Sequence, residues 1–221
     1  MHAVIVGNSD GIGLALTRRL LADGWEVTGL SRSPAPAGRH HVVDVTSPEL
    51  PAVLAGVGDV DLCVYAAGVG ELLTGDDLAD QTRAIEVNLL GAARTIEAVV
   101  PRMLAAGRGH VIGLSSLADT IISADAPGYA ASKAGLTAYL LGLDAALRPR
   151  GVPVSVVRFG FVDTKMAKSP VTPFKISTDR AVDVLMRCVR KRPAIVSYPR
   201  RMAAVTGALG PLLRVGARLR R

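Results

Sequence analysis

Short, almost wholly apolar runs alternate along this chain with longer stretches in which apolar positions recur every three or four residues. That is the pattern of buried parallel strands separated by amphipathic helices. Apolar runs at residues 2–7, 25–31, 40–44, 61–66, 110–114, 152–159 and 194–197 predict strands, and the helical period is strongest over 14–21, 78–106, 129–147 and 178–190. The stretch 33–38, Ser-Pro-Ala-Pro-Ala-Gly, is too short and too rich in breakers for a full helix, so the second and third strands are predicted to be joined by a compact loop. Strands alternating with helices throughout predict an α/β fold: one Rossmann-type, doubly wound parallel sheet of about seven strands with helices on both faces. Asn88 falls inside the 78–106 helix, where an asparagine is unfavourable unless its amide finds something to bond.

Composition narrows the class. With 49% hydrophobic residues among 221, the chain can bury one sizeable core, over residues 1–199, with a short extension at 200–221. Cys63 and Cys188 lie far apart and without metal-ligand spacing, which predicts two reduced, buried thiols, no metal site and a cytoplasmic setting. The first residues lack a signal-peptide pattern, and no apolar run reaches the roughly 18–20 residues that span a bilayer. The net charge of +7 is uneven: ten Lys or Arg and no acid follow from Val184 onward, which leaves −3 on the first 183 residues. The basic character belongs to the tail, so the chain is not expected to bind nucleic acid. Arginines at 200, 201, 214, 218, 220 and 221 surround apolar residues and a hinge at Pro211. This predicts two short amphipathic pieces, either packed on the protein or acting as a foot for an anionic membrane or an acidic carrier protein.

Candidate chemistry begins at the first strand's end. Gly7, Gly11 and Gly13 let the chain turn sharply and approach a ligand, and the following helix offers unpaired N–H groups and a positive dipole end to a pyrophosphate; Ser9 and Ile12 complete that loop. Ser31 and Arg32 end the second strand, where an acid would bind the ribose hydroxyls of the unphosphorylated cofactor; an arginine there favours NADP(H) over NAD(H), with Asp10 opposing it and a solvated loop arginine as the alternative. Asp44, followed by Val45, ends the third strand, where its carboxylate can meet the adenine amino group or cap a helix with Thr46. Small residues at Ala66, Ala67 and Gly68 leave room for a ligand at the fourth strand's end, and Ser115 and Ser116 end the fifth. Tyr129 and Lys133, one helical turn apart, set a cation beside a phenol, which suits acid–base chemistry on an oxygen.

In this order and spacing the motifs Gly7-x-x-x-Gly11-Ile12-Gly13, Asp44-Val45, Ala66-Ala67-Gly68, Asn88, Ser116 and Tyr129-x-x-x-Lys133 resemble the short-chain dehydrogenase/reductase family over roughly residues 4–197. The resemblance implies a tetrad. Tyr129 would exchange a proton with the substrate oxygen, Ser116 would hold that oxygen, Lys133 would bind the nicotinamide ribose and lower the Tyr129 pKa, and Asn88 would anchor a water relay. Val162 and Thr164 would meet the nicotinamide end. Three positions depart from the family pattern: Val6 for a threonine, Tyr65-Ala66 for Asn-Asn, and Phe159-Gly160 for Pro-Gly.

The segment 165–177 is expected to be a short lid, with Met166, Val171, Phe174 and Ile176 apolar and Lys165, Lys168 and Lys175 available to an anion, or merely packing and solvated. The expected function is an NADPH-dependent reductase acting on a small-molecule ketone or aldehyde. The alternatives are a non-catalytic dinucleotide-binding regulator, or an epimerase or dehydratase on the same fold, whose relatives carry a larger C-terminal domain. The two long helices, apolar on more than one face, predict a homodimer or homotetramer.

Overall fold

The computed structural model describes residues 1–166 and 172–203. Its strands are β1 His2–Val6, β2 Glu26–Ser31, β3 Arg39–Val42, β4 Leu62–Tyr65, β5 Val111–Ser116, β6 Val154–Phe159 and β7 Ile195–Tyr198. They form one seven-stranded sheet in the order β3-β2-β1-β4-β5-β6-β7, and every adjacent pair is parallel. The helices are α1 Gly11–Ala22, α2 Leu50–Ala55, α3 Ala79–Ile85, α4 Gly91–Ala105, α5 Pro127–Leu147 and α6 Thr178–Lys191. The chain passes from β2 to β3 without a helix, as the Pro-rich loop predicts.

Strand pleating divides the core in two. Ala3, Ile5, Leu62 and Val64 face one side with Leu16 and Leu20 of α1 and Val182 and Leu185 of α6; Val4, Val6, Cys63 and Tyr65 face the other with Ile96 and Val99 of α4 and Leu136 and Leu140 of α5. Both faces are covered, which is why these strands read as continuous apolar runs. Helix starts follow local chemistry. Asp10 caps α1 by accepting from Gly11 N at 2.7 Å, and Ser177 caps α6 by accepting from Arg180 N at 3.2 Å.

Two expectations are corrected. The helix predicted over 78–106 is interrupted: Glu86–Leu90 is a π segment between α3 and α4, and the Gly91 N–H bonds the Glu86 carbonyl. The hydrophobic period continues through the break because the insertion leaves Val87 and Ala92 pointing at the core, so periodicity alone does not reveal it. The short helix α2 lies where the pattern assigns no element; it begins beside Pro51 and buries only Leu50 and Leu54. Neither Cys63 nor Cys188 is bonded, and both thiols are buried. Among the described residues no helix is long and apolar enough to cross a membrane. Residues 204–221, which carry most of the basic tail, lie outside the described residues.

At the amino-terminal edge of the sheet His110 is 1% exposed, with Nε2 at 2.8 Å from Ser155 Oγ and Nδ1 buried without a partner. Burial, with Arg192 and Arg148 adding to it against Asp144, holds the imidazole down at about 4. The neutral ring is therefore the folded form, and folding loses stability as pH falls from the ordinary histidine value toward 4. Urea unfolding at pH 7 and pH 4.5 should differ by about 2–3 kcal/mol more in the parent than in His110→Gln, which has no group to protonate. Equal pH slopes in the two proteins would refute this reading of His110.

Candidate active site

The strands' carboxyl ends converge on a cleft centred where the strand order reverses, between β1 and β4. Gly7 has φ +89°, and a Cβ there would lie 2.5 Å from Ala67 N; one at Gly13 would lie 2.1 Å from the Gly7 carbonyl oxygen. The loop of Gly7, Ser9, Gly11, Ile12 and Gly13 is thus pressed onto the end of β4, and it opens directly into the N-terminus of α1. Thr164 closes the other side, its Cγ2 3.3 Å from where a Gly11 Cβ would stand, while Val162 is buried beneath and pairs with Ile176.

At the β2 end Ser31 donates to the Ser33 carbonyl at 2.8 Å, and Arg32 is exposed on the wall of a cavity of about 680 Å³ shared with Val69, Glu71, Asp80, Arg83 and Glu86. Asp44 does not cap a helix. Its Oδ1 accepts from the Thr46 N–H at 2.9 Å and hydroxyl at 2.8 Å, and its Oδ2 pairs with Arg83 at 2.6 Å. Burial pushes the Asp44 carboxyl up, but those hydrogen bonds outweigh it and hold the group below its ordinary value. Val45 is a core residue. Asp10 both caps α1 and pairs with Lys165 at 2.8 Å, so the negative charge beside the glycine loop has its own cation.

The four tetrad positions come together beyond Ala67 and Gly68. A Cβ at Gly68 would lie 3.2 Å from Asn88 Oδ1 and 3.6 Å from Lys133 Nζ, so only glycine leaves that corner open. Asn88 is fully buried in the π segment. Its Oδ1 accepts from Val69 N at 2.8 Å, and its Nδ2 donates to the Val69 carbonyl at 2.8 Å and to Ser132 Oγ at 2.9 Å. Tyr65 holds the same segment, its hydroxyl donating to the Val87 carbonyl at 2.5 Å, which accounts for one departure from the family pattern. Lys133 donates to the Leu114 carbonyl at 2.9 Å, and its ammonium stands 5.7 Å from the Tyr129 ring centre. Burial lowers the Lys133 pKa to about 8. The half-buried Tyr129 phenol is pushed up by burial, pulled down by its hydrogen bond with Ser116, and pushed up again by the Asp119 charge. The net direction is upward, so at neutral pH the phenol holds its proton and is an acid.

Residues that the sequence reading omits also shape the cleft. Asn8 is fully buried against Gly29 with neither amide atom partnered, and Arg83 is fixed by Asp44 and Thr46 at the cavity wall. Asn8 sits inside the glycine loop but carries no signal that its amide is left unpaired, and Arg83 reaches the site only through the approach of a segment 39 residues from Asp44. In the segment expected to be a lid, Lys165 and Lys175 are taken by Asp10 and Asp163, Met166 and Phe174 are exposed, and Lys168 and Val171 lie outside the described residues. A cradle without room for side chains, an orphaned amide beside it and a cavity at the β2 end that mixes Arg32 and Arg83 with Glu71, Asp80 and Glu86 fit a dinucleotide.

A family model described as short chain dehydrogenase matches residues 1–173. An uncharacterized oxidoreductase of Myxococcus xanthus is 32% identical, over 92% of this chain and 89% of that protein. The 3-oxoacyl-acyl-carrier-protein reductase FabG of Escherichia coli is 31% identical, over 76% of this chain and 75% of its own. The alcohol dehydrogenase of Thermococcus sibiricus, solved with 5-hydroxy-NADP, superposes with a TM-score of 0.75 at 26% identity, covering 89% of this chain and 94% of that one.

Because the Asn88 amide joins the 69 loop, the π segment and α5, Asn88→Ala should unfold at lower urea concentration by about 2–3 kcal/mol, leaving buried backbone groups of Val69 unpaired. A loss below about 0.5 kcal/mol would mean that the segment holds its shape without the amide.

Proposed function

The chain belongs to the short-chain dehydrogenase family and is an NAD(P)-dependent oxidoreductase, and on that premise we propose that it reduces a ketone or aldehyde with Tyr129 as proton donor and NADPH as the preferred reductant. The observation that carries this reading is a protonated phenol, raised above its ordinary value by burial, beside a serine hydroxyl and a buried lysine at one end of a dinucleotide cleft. Reduction needs an acid at that point; oxidation would need the same group as a base.

The bound cofactor supplies a hydride to the carbonyl carbon. Ser116 orients the carbonyl oxygen, and Tyr129 gives its proton to that oxygen as negative charge develops there. Lys133, still largely charged at neutral pH with a pKa of about 8, stabilises the phenolate left behind. Asn88 holds the wall next to Lys133. Ser31 and Arg32 receive the ribose phosphate, a reading supported by the pairing of Asp10 with Lys165, which offsets the carboxylate in the glycine loop. The NADP-type ligand of the Thermococcus sibiricus enzyme points the same way. Exposed Leu72, Ile122, Met166 and Phe174, with the 3-oxoacyl chemistry in the FabG relative's name, favour an apolar substrate. Exposed Ile85, just before the π segment, and Leu90, its last residue, favour a homo-oligomer.

Tyr129→Phe should lower carbonyl turnover by a factor of roughly 10²–10⁴ with NADPH affinity unchanged, read by loss of reduced-nicotinamide absorbance over a carbonyl panel. Turnover equal to the parent's would remove Tyr129 from the chemistry. Fluorescence titration should show Arg32→Ala losing about 10–100-fold in NADPH affinity while NADH binding changes little, the loss expected for one charge-assisted phosphate contact. Tighter binding of NADH than NADPH by the parent would overturn the preference.

A further inference from the structure

Three residues past Ser116, in the tight turn Leu117–Thr120, Asp119 is buried with its side chain 2% exposed. Its Oδ1 pairs with Arg158 of β6 at 2.5 Å, and Arg158 is itself only 15% exposed. Its Oδ2 accepts from the Thr137 hydroxyl of α5 at 2.7 Å. The Ser115 hydroxyl, on β5, lies 2.7 Å from Thr137 Oγ1 and 3.1 Å from the Lys133 carbonyl oxygen, and Ser115 stands opposite Arg158 in the strand register. One carboxylate therefore ties the turn that follows Ser116, the helix that carries Tyr129 and Lys133, and the strand behind them. A buried ion pair adds little net stability over an apolar pair of the same shape, so stability alone is a weak reason for this one.

We propose that Asp119 and Arg158 form a buried charge pair that governs the Tyr129 phenol: Asp119 positions Ser116 and α5 and keeps the phenol protonated, and Arg158 limits how far that charge is felt. The proposal rests on the reading of Tyr129 as the proton donor. Among the described residues, Lys133 stands one turn along the phenol's own helix, Asp119 in the turn after Ser116 adds its charge to the phenol, and Arg158 pairs with Asp119 from β6; the loop at Gly70, packed on the ring, brings Glu71, and the π segment brings the uncharged Asn88. Neutralising Asp119 leaves an uncompensated cation near the phenol and favours the phenolate. Removing the Arg158 charge leaves an uncompensated anion and favours the phenol.

The test is the titration of Tyr129 in protein labelled with ¹³Cζ-tyrosine, its resonance identified by its loss in Tyr129→Phe, together with the pH profile of kcat/KM. Asp119→Asn should move the titration to lower pH by about half a unit or more, Arg158→Met to higher pH by a similar amount, and Arg158→Lys should restore the parent value. A purely structural pair would lower the melting temperature of the variants and leave the Tyr129 titration where it was, and that result overturns the proposal. If either single variant fails to fold, the double variant Asp119→Asn/Arg158→Met, with no buried charge left unpaired, is read instead: a smaller shift to lower pH is expected, and none refutes it. The resonance needs no turnover, so a parent inactive on every carbonyl would defeat the proposed reaction while this result still stood or fell by itself.

Discussion

The fully buried amide of Asn88 is the interaction on which the site's shape depends. A regular helix would direct residue 88 by the 3.6-residue period alone; the π segment changes the phase, and the amide then reaches both backbone groups of Val69 and the Ser132 hydroxyl at once. Three segments far apart in the chain, the loop after β4, the α3–α4 junction and α5, are thereby held at fixed distances. Tyr65 supports the same junction from below through the Val87 carbonyl, and Gly91 leaves room for it, since a Cβ there would stand 2.5 Å from the Tyr65 hydroxyl. The irregularity is thus held by specific polar contacts rather than tolerated as a defect.

Charge is handled differently at the two ends of the cleft. At the Tyr129 end Lys133 is buried and the phenol half-buried, and their environment moves them: Lys133 falls to about 8 and the Tyr129 phenol rises. At the end formed by the glycine loop and the β2 and β3 ends the groups are partly exposed and paired, Asp44 with Arg83 and Asp10 with Lys165, so they order the loops without large desolvation penalties. Chemistry on an oxygen needs shifted proton affinities, whereas recognition of a charged cofactor needs fixed positions. The distribution of burial along the cleft matches that division.

Much of the fold was legible beforehand because a doubly wound sheet buries its strands on both faces, so seven short apolar runs and the helical periods between them mark the elements directly. The glycine loop was legible for a steric reason: Gly7 and Gly13 occupy places where any side chain would collide with the backbone of Ala67 or Gly7. The break at Glu86–Leu90 was not legible, since apolar residues within it and just after it, Val87 and Ala92, enter the same core and leave no gap in the apolar pattern to mark the change of phase. Nor was the role of Asp44, because a carboxylate at a strand end is equally suited to a nucleobase, a helix cap or an arginine, and Arg83 lies 39 residues away.

By itself the sequence determined which residues turn inward, where the chain can approach a phosphate and which side chains can move a proton, because these follow from local sterics, periodicity and intrinsic acidity. Only the tertiary structure decided how those groups behave together. It set Lys133 against the Leu114 carbonyl, left the Asn8 amide without a partner beside the glycine loop, and joined Asp119 to Arg158 across 39 residues behind Ser116. Each outcome depends on dielectric surroundings and on distances between segments remote in the chain, and neither quantity is carried by any local stretch of residues.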